Sequence, residues 1–369
     1  MRLDYESLRD VSHKVSYSMK KFLIYGSYGY TGQLVVDLAV KEGMRPILAG
    51  RDEKKLRAQA ERYDLPYRAF SLDETAKLDS ALLEVEAVLH CAGPFVLTFR
   101  QMAEACLRAK RHYVDISGEI EGFEALAKMS DDATQAGIML LPGGGFDVVP
   151  SDCLAAYMKQ RLPDATHFRL FILGVGGGVS RGTAVSGIEN MHRQGRIRRD
   201  GRIVQVPPAW QVLEQDFGRG PKKCVSIGWG DVSTSYHSTG VPNVEVYFAV
   251  RPSAINLLRL MRLIGPLLYT RAARSLLQWV IRWANPHGPG PEKNETGFNL
   301  MVGEMRSAER VVRAQLRTPE GYRLTALTTV EIMKRILNGD LKPGFQTPSL
   351  AYGADFTLQF AGVERKDLS

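Results

Sequence analysis

From Lys20 to about Asp152, short apolar runs alternate with helical patterns, and this alternation restricts the fold more than any other feature of the sequence. The runs Lys21–Tyr25, Pro46–Ala49, Tyr67–Phe70, Ala87–Cys91, His112–Asp115 and Ile138–Leu141 have the length and composition of strands. Amphipathic patterns at Thr31–Glu42, Glu53–Tyr63, Thr98–Ala109 and Glu121–Ala136 lie between them. Strands joined through helices pair in parallel, because a parallel crossover needs a helix-length connection, and the helices then cover both faces of one sheet. The expectation is an α/β fold with a Rossmann-type parallel sheet domain over residues 19–152.

A chain of 369 residues exceeds what one hydrophobic core supports, so a second domain is expected. The pattern does change after Pro150. A helix at Asp152–Arg161 leads to a strand at His167–Leu173 and a Gly-rich loop, LGVGGGVSRGT. A polar stretch from about Arg193 to Asn243 holds Pro207, Pro208 and the basic run RQGRIRRDGR. Strands at Val244–Val250, Leu300–Met305 and Val311–Arg317 and a helix at Leu324–Leu337 follow. These predict an α+β second domain over 153–322 with a largely antiparallel sheet, and a C-terminal helix and tail over 323–369 that return to the first lobe. Residues 1–18 mix charges without an apolar h-region and read as a disordered extension, not a signal peptide.

The segment KFLIYGSYGYTGQLVVDLAV is a complete strand–turn–helix unit. Gly26 ends the strand at a tight turn, Gly29 lets the backbone approach a pyrophosphate, and Gly32 lets the helix pack on the strand. Ser27, Tyr28, Tyr30 and Thr31 fill the rest of the loop, whose helix amides and dipole favour phosphate. A glycine triplet alone is a weak signal; set between a strand and a helix at the start of a βαβ series it points to a dinucleotide. At the end of the second strand an NAD site usually carries an acid for the ribose hydroxyls. Here Gly50 and Arg51 stand there, with Lys54, Lys55 and Arg57 beyond. Arg51 suits a 2′-phosphate, and Asp52, one place late, reads as the cap of the next helix, so NADP(H) is the expected cofactor, with a solvated basic helix start as the alternative. Cys91, Ala92, Gly93, Pro94 and Phe95 end the fourth strand, at the sheet edge where such cofactors lie.

Hydride transfer needs a donor for the negative charge that develops on the substrate. Asp147 and Ser151 are the catalytic candidates, with Asp115, Ser117 and Glu119 facing the same crevice. The same residue types cap helices and hold turns, so a structural role for each stands beside the chemical one. Ser180, Arg181 and Thr183 are placed to bind a carboxylate or headgroup, or to begin a helix. No Tyr-x-x-x-Lys pair of the short-chain dehydrogenase kind is suggested, and the proton could come from water.

The four cysteines, Cys91, Cys106, Cys153 and Cys224, include no CxxC pair and read as reduced thiols of a cytoplasmic protein. The seven histidines lack metal-ligand spacing, so no metal is expected, and His90 and His112 sit in apolar runs as core residues. The net charge of +8 comes without RRM, KH or zinc-finger patterns, which argues against nucleic acid as a partner.

The segments GSYGYTG (26–32), AGRDEKKL (49–56), CAGPF (91–95), YVDISGE (113–119), PGGGFDVVPSD (142–152), SRGTAVS (180–186), RTPEGY (317–322) and GFQTPSLAYG (344–353) occur in order over most of the chain. Together they resemble the saccharopine dehydrogenase-like oxidoreductases, including the trans-acting enoyl reductases. The resemblance implies a Rossmann NADP-binding domain joined to a catalytic domain, with hydride transfer to a C=C or C=N bond. Two positions depart from the family pattern. Tyr28 adds bulk beside the phosphates, and Gly144 stands where many relatives carry cysteine, which excludes a catalytic thiol there.

Residues 254–284 are largely apolar and their charges are five arginines, with Arg271, Arg274, Gln278 and Arg282 on one helical stripe and Trp279 and Trp283 on the apolar side. That composition suits peripheral contact with the inner face of a membrane, a lipid mouth, a buried helical hairpin or a homodimer contact. The expected function is NADP(H)-dependent reduction of a C=C (enoyl) bond in a hydrophobic acyl or lipid-like substrate. The alternatives are an opine or saccharopine-type amino-acid dehydrogenase and a non-catalytic NADP-binding protein of a lipid surface.

Overall fold

The computed structural model describes residues 21–178, 180, 195–253, 255–256 and 295–368. The extension 1–18, Arg181, Thr183 and all of 254–284 except 255–256 lie outside the described residues.

The first lobe runs β1 (Phe22–Tyr25), α1 (Tyr30–Lys41), β2 (Ile47–Gly50), α2 (Glu53–Tyr63), β3 (Tyr67–Ala69), α3 (Thr75–Leu83), β4 (Ala87–His90), α4 (Phe99–Ala109), β5 (His112–Asp115), α5 (Ile120–Ala127), α6 (Ser130–Ala136) and β6 (Met139–Leu141). Its strands pair in parallel in the order β3-β2-β1-β4-β5-β6. Alternate residues of β1 feed two different cores, Phe22 and Ile24 on one face, Leu23 and Tyr25 on the other. A parallel sheet covered on both faces needs apolar residues at every position, which is why these strands read as continuous runs.

One helix was expected over Glu121–Ala136, but the chain forms two. Lys128 closes α5, and α6 starts afresh at Ser130, with Asp131 and Asp132 in its first turn where the helix dipole favours acids. Helix α3, also unanticipated, buries only Leu78, Ala81 and Leu82, too narrow a stripe to stand out.

The second lobe starts from α7 (Val149–Arg161), one turn earlier than the Asp152 expected, and β7 (His167–Val175). It continues with β8 (Gly195–Arg199), β9 (Arg202–Val206), β10 (Val212–Asp216), β11 (Pro221–Ile227), α8 (Asp231–Thr239), β12 (Asn243–Ala249), β13 (Phe298–Arg306) and β14 (Val311–Pro319). Thus the polar stretch after Arg193 contains four strands. After α9 (Gly321–Leu337) come β15 (Gly344–Phe345), α10 (Pro348–Tyr352) and β16 (Glu364–Asp367). The sheet order is β10-β11-β12-β7-β13-β14-β16, with β8 pairing β12 and β9 pairing β8. All these pairs are antiparallel except β12 with β7, so the sheet is mixed and mostly antiparallel.

Two elements bind the lobes together. Helix α9 packs on α1, where the Lys334 ammonium meets the Glu42 carboxylate, and β15 adds a seventh parallel strand beside β6. One buried cluster consequently spans both lobes, from Val36 and Leu89 through Leu154 of α7 and Met333 of α9 to Leu170 and Met301 of the second sheet.

Candidate active site

The turn after β1 has the geometry of a phosphate cradle. Gly26 adopts φ +86°, a left-handed conformation that L side chains rarely take, and its amide donates to the Ala49 carbonyl at 2.7 Å, tying the loop to β2. A Cβ on Gly32 would lie 2.3 Å from the Gly26 oxygen and 2.8 Å from the Ser27 oxygen, so no side chain fits at that point of α1. No side chain caps α1 at Gly29, and its first turn carries no acid to oppose the positive end of the helix dipole. Such a helix start accepts a phosphate. Ser27 plays a different part: its hydroxyl donates to Gln59 Oε1 at 2.8 Å and its carbonyl accepts from Gln59 Nε2 at 3.0 Å, locking the loop to α2. We expect Gly32→Ala to cost about 1–3 kcal/mol through backbone overpacking and to abolish NADPH binding, as read by thermal melting and by titration.

At the end of β2, Arg51 is exposed, and Asp52 caps α2 by accepting the Lys55 amide at 3.1 Å. That backbone hydrogen bond holds the Asp52 carboxyl below its ordinary range. The Tyr28 hydroxyl crosses from the glycine loop to accept the amides of Arg51 and Asp52, each at 3.2 Å.

The loop after β4 lies against the cradle, since a Cβ on Gly26 would meet the Ala92 Cβ at 3.0 Å. Its conformation is held from two sides. The Glu119 carboxylate accepts from the amides of Phe95 and Val96, the former at 3.2 Å, and the Thr98 hydroxyl donates to the Ala92 carbonyl at 2.9 Å. His90 is buried beside Thr98, and burial pushes its ring down to about 3, so it stays neutral. Burial raises the Cys91 thiol, which keeps it protonated and unreactive. Asp115 accepts from the Tyr113 hydroxyl at 2.6 Å and from the Ser117 and Gly143 amides at 2.9 Å. It splices the loops after β5 and β6. Asp115 and Glu119 are thereby occupied as supports of the crevice.

Asp147 and Ser151 separate in the structure. The residue that caps α7 is Val148, with no side-chain hydrogen bond, so capping accounts for neither. Ser151 is 1% exposed, and its hydroxyl donates to the Val148 carbonyl at 3.0 Å, turned into its own helix. Asp147 lies on the loop between β6 and α7 and keeps part of its surface exposed. Its Oδ2 faces Gly118, where a Cβ would approach to 2.9 Å, and Trp229 Nε1 holds its backbone carbonyl at 2.8 Å. Desolvation of the carboxyl, followed by the charge of Glu119, pushes Asp147 up to about 7. Behind it, Asp152 accepts from Ser238 and from the Ser349 amide, and Asp231 is wholly buried and raised far above the carboxylate range by that burial. Among the described residues no group of three His, Cys, Asp or Glu is arranged to hold a metal.

The second lobe also closes on the first through Tyr322 and through two arginines of β8. The Ser180 amide donates to the Tyr322 hydroxyl at 2.7 Å, and the Tyr322 ring meets Tyr30 of the cradle edge-on at 4.9 Å. Below α5, Arg196 pairs with Glu121, and Arg198 reaches Glu124, which also accepts from Ser233 at 2.6 Å and lies 3.4 Å from His237 Nε2. Burial alone would raise the Glu124 carboxyl, but His237, Ser233 and Arg198 more than offset it and hold it at about 2. Arg196 and Arg198 of the basic run form an inter-lobe clamp; its signal was the period-two spacing of the two arginines around Ile197.

Residues 22–141 match the family model described as the saccharopine dehydrogenase NADP binding domain. The chain is 28% identical over 165 residues to a lipid droplet localized protein of Caenorhabditis elegans, covering 41% of this chain and 39% of that one. It is 26% identical over 160 residues to the Homo sapiens saccharopine dehydrogenase-like oxidoreductase, covering 38% and 37%. A trans-acting enoyl reductase of Mycobacterium ulcerans is 26% identical over 149 residues, covering 38% and 36%. The chain thus spans less than two-fifths of the length of each of these relatives. In three dimensions it is similar to apo saccharopine dehydrogenase (L-Glu forming) of Saccharomyces cerevisiae, with a TM-score of 0.64 at 12% identity over 95% of this chain and all of that one. Residues 22–141 thus carry the match to a saccharopine dehydrogenase NADP-binding domain, and the two-lobed fold is similar to that of the yeast saccharopine dehydrogenase.

Proposed function

We propose that the chain is an NADPH-dependent reductase of a conjugated C=C bond in a hydrophobic acyl or lipid-like substrate, with Asp147 as the proton donor. The observation that carries this reading is a carboxyl, poised near pH 7, on the loop that leaves β6 at the carboxyl end of the parallel sheet. Ligands of open α/β sheets lie beyond that end, so a substrate held against the cofactor would face Asp147.

The uncapped start of α1 and the bare backbone at Gly26 and Gly32 fit a pyrophosphate, and Arg51 and Lys55 suit a 2′-phosphate. The cofactor, when bound, supplies the hydride. Adding hydride to one carbon of a conjugated bond leaves negative charge on the other, which must take a proton. An acid with a pKa near the working pH gives up that proton and recovers it readily. Asp115 and Glu119 hold the walls in place, and neutral His90 adds no competing charge.

The rim of the crevice supports an apolar substrate. Phe95, Val96 and Leu97 form one turn straight after β4, and Leu97 is 64% exposed. One relative is named for enoyl reduction and another for its place on lipid droplets, and both support this reading. No helix among the described residues is long and apolar enough to cross a membrane, and peripheral attachment through 254–284 is part of the proposal.

The test is NADPH oxidation followed over enoyl thioesters, cyclic imines and lysine–oxo-acid adducts. Enoyl thioesters with long acyl chains are expected to turn over fastest. Turnover confined to the lysine adducts would replace this reading with an amino-acid dehydrogenase, and none with any class would leave a binding protein.

A further inference from the structure

The loop that cradles phosphate also sends a side chain to the other end of the cofactor crevice. Tyr28 leaves the loop between Gly26 and Gly29 and lays its ring across Gly50, the last residue of β2. A Cβ on Gly50 would lie 2.6 Å from Tyr28 Cε1 and 3.2 Å from its hydroxyl oxygen, so only bare backbone admits the ring. That oxygen then accepts both amides just beyond the strand, Arg51 N and Asp52 N, at 3.2 Å each. Two successive amides converging on one oxygen at the start of a helix make an anion-binding nest.

The charges around this nest are arranged for an anion. Arg51, Lys54 and Lys55 are exposed beside it, and the Lys55 ammonium stands 5.6 Å from the centre of the Tyr28 ring. The two nearby acids are committed along α2, Asp52 to the Lys55 amide and ammonium at 3.1 and 3.3 Å, Glu53 to Arg57 at 3.1 Å. The loop cannot slide to carry Tyr28 elsewhere, because Ser27 is locked to Gln59 and the Tyr28 carbonyl accepts from Gln33 Nε2 at 3.0 Å. Displacing the hydroxyl from the nest therefore needs a movement of the side chain and not of the loop.

We propose that Tyr28 is an internal competitor for the cofactor's 2′-phosphate: its hydroxyl fills the Arg51–Asp52 nest in the cofactor-free protein and is displaced when a 2′-phosphorylated nucleotide binds. The proposal rests on the NADP-binding assignment of the first lobe. The phenol oxygen lies 3.2 Å from each amide, beyond the roughly 2.9–3.0 Å of a well-formed N–H···O bond. A phosphoryl oxygen makes shorter, charge-assisted bonds about twice as strong and brings its charge among three cations, so it wins the nest. The neutral 2′-hydroxyl of NADH gains nothing over the phenol and leaves it in place. Tyr28 therefore lowers the affinity for NADPH and NADP⁺ alike and refills the nest as either departs, which favours exchange of spent cofactor for fresh.

The experiment is calorimetric titration of wild type and Tyr28→Phe with NADPH, NADH and adenosine 2′,5′-bisphosphate. The variant keeps the ring on Gly50 and removes only the competing oxygen. NADPH and the bisphosphate are expected to bind the variant about threefold to tenfold more tightly, the worth of a weak neutral hydrogen bond lost from the free protein. NADH should change by less than about twofold, far under one tenfold step in affinity. Unchanged or weaker binding of the two 2′-phosphorylated ligands would overturn the proposal, because the hydroxyl would then be an anchor for the turn. Equal tightening of NADH would also overturn it, because the ring would then merely crowd the ribose. If the wild type binds neither 2′-phosphorylated ligand, the NADP assignment falls as well. Hydrogen exchange at the Arg51 and Asp52 amides gives a second readout, expected to be faster in the free variant and equally slow in both proteins once the bisphosphate is bound; equal rates in the free proteins would count against the competitor.

Discussion

Replacing Asp147 by asparagine is expected to cut NADPH-dependent reduction by about 10²–10⁴-fold, the usual worth of a positioned general acid. Asparagine keeps the shape of the side chain beside Gly118 and leaves the Trp229 contact to the backbone carbonyl intact, so the crevice should survive. The wild-type rate should fall as pH rises through about 7, where Asp147 loses its proton, and the variant should lack that limb. Stability of the wild type should fall over the same range. The folded-state pKa of Asp147 lies above its ordinary value, so its effect is most favourable to the fold below pH 4 and is lost as pH climbs through 7. Above pH 7 the variant should melt at a higher temperature than the wild type, with the difference shrinking toward pH 4. A variant that reduces substrate at the wild-type rate with an unchanged pH profile would remove Asp147 from the chemistry and hand proton delivery to water.

The second large effect concerns the joint between the lobes. Arg198 is 3% exposed; its guanidinium donates to the Val232 carbonyl at 2.9 Å and the Gly201 carbonyl at 2.7 Å, reaches Glu124, and stacks 4.2 Å from the Tyr236 ring centre. Arg198→Met keeps most of the stem volume but leaves the Val232 and Gly201 carbonyls without their donor and Glu124, which is a third exposed, with only Ser233 and His237, a loss expected to cost about 1–3 kcal/mol. A urea titration should show that loss, and adding Glu124→Gln should recover part of it. The same network makes acid a destabilising agent. Glu124 is held below its ordinary pKa, so its contribution is present above pH 4.5 and disappears as pH falls toward 2. A loss under about 1 kcal/mol in the single variant would place the pair among surface ion pairs of little worth.

The sequence made the first lobe legible because buried parallel strands and their helices leave periodic apolar patterns, and because glycine at positions 26 and 32 is demanded by backbone geometry. It concealed what depends on partners far along the chain. The break at Lys128 is hidden since the apolar spacing of α5 carries on through Met129 into α6. Strands β8 and β9 were missed because Arg196 and Arg198 are satisfied by acids of the other lobe and not by an apolar face. Tyr28 looked like bulk beside the phosphates; the clue to its seat was Gly50, whose missing side chain is explained by the ring it carries. Asp147 and Ser151, four residues apart, read as a pair, yet the start of α7 turns the serine inward and leaves the aspartate on the loop.

The seventh strand of the first sheet bears on how the protein is made. β15 pairs Gly344 with Met139 and Phe345 with Leu140, and the helix before it seals the face of α1. A ribosome delivers some two hundred intervening residues after β6 before that edge can be completed. Until then β6 exposes an unpaired apolar edge, a template for mispairing between nascent chains. Folding of the cofactor lobe is therefore tied to synthesis of the second lobe, and yield in a cell should respond to chaperone supply more than the early glycine loop alone would lead one to expect.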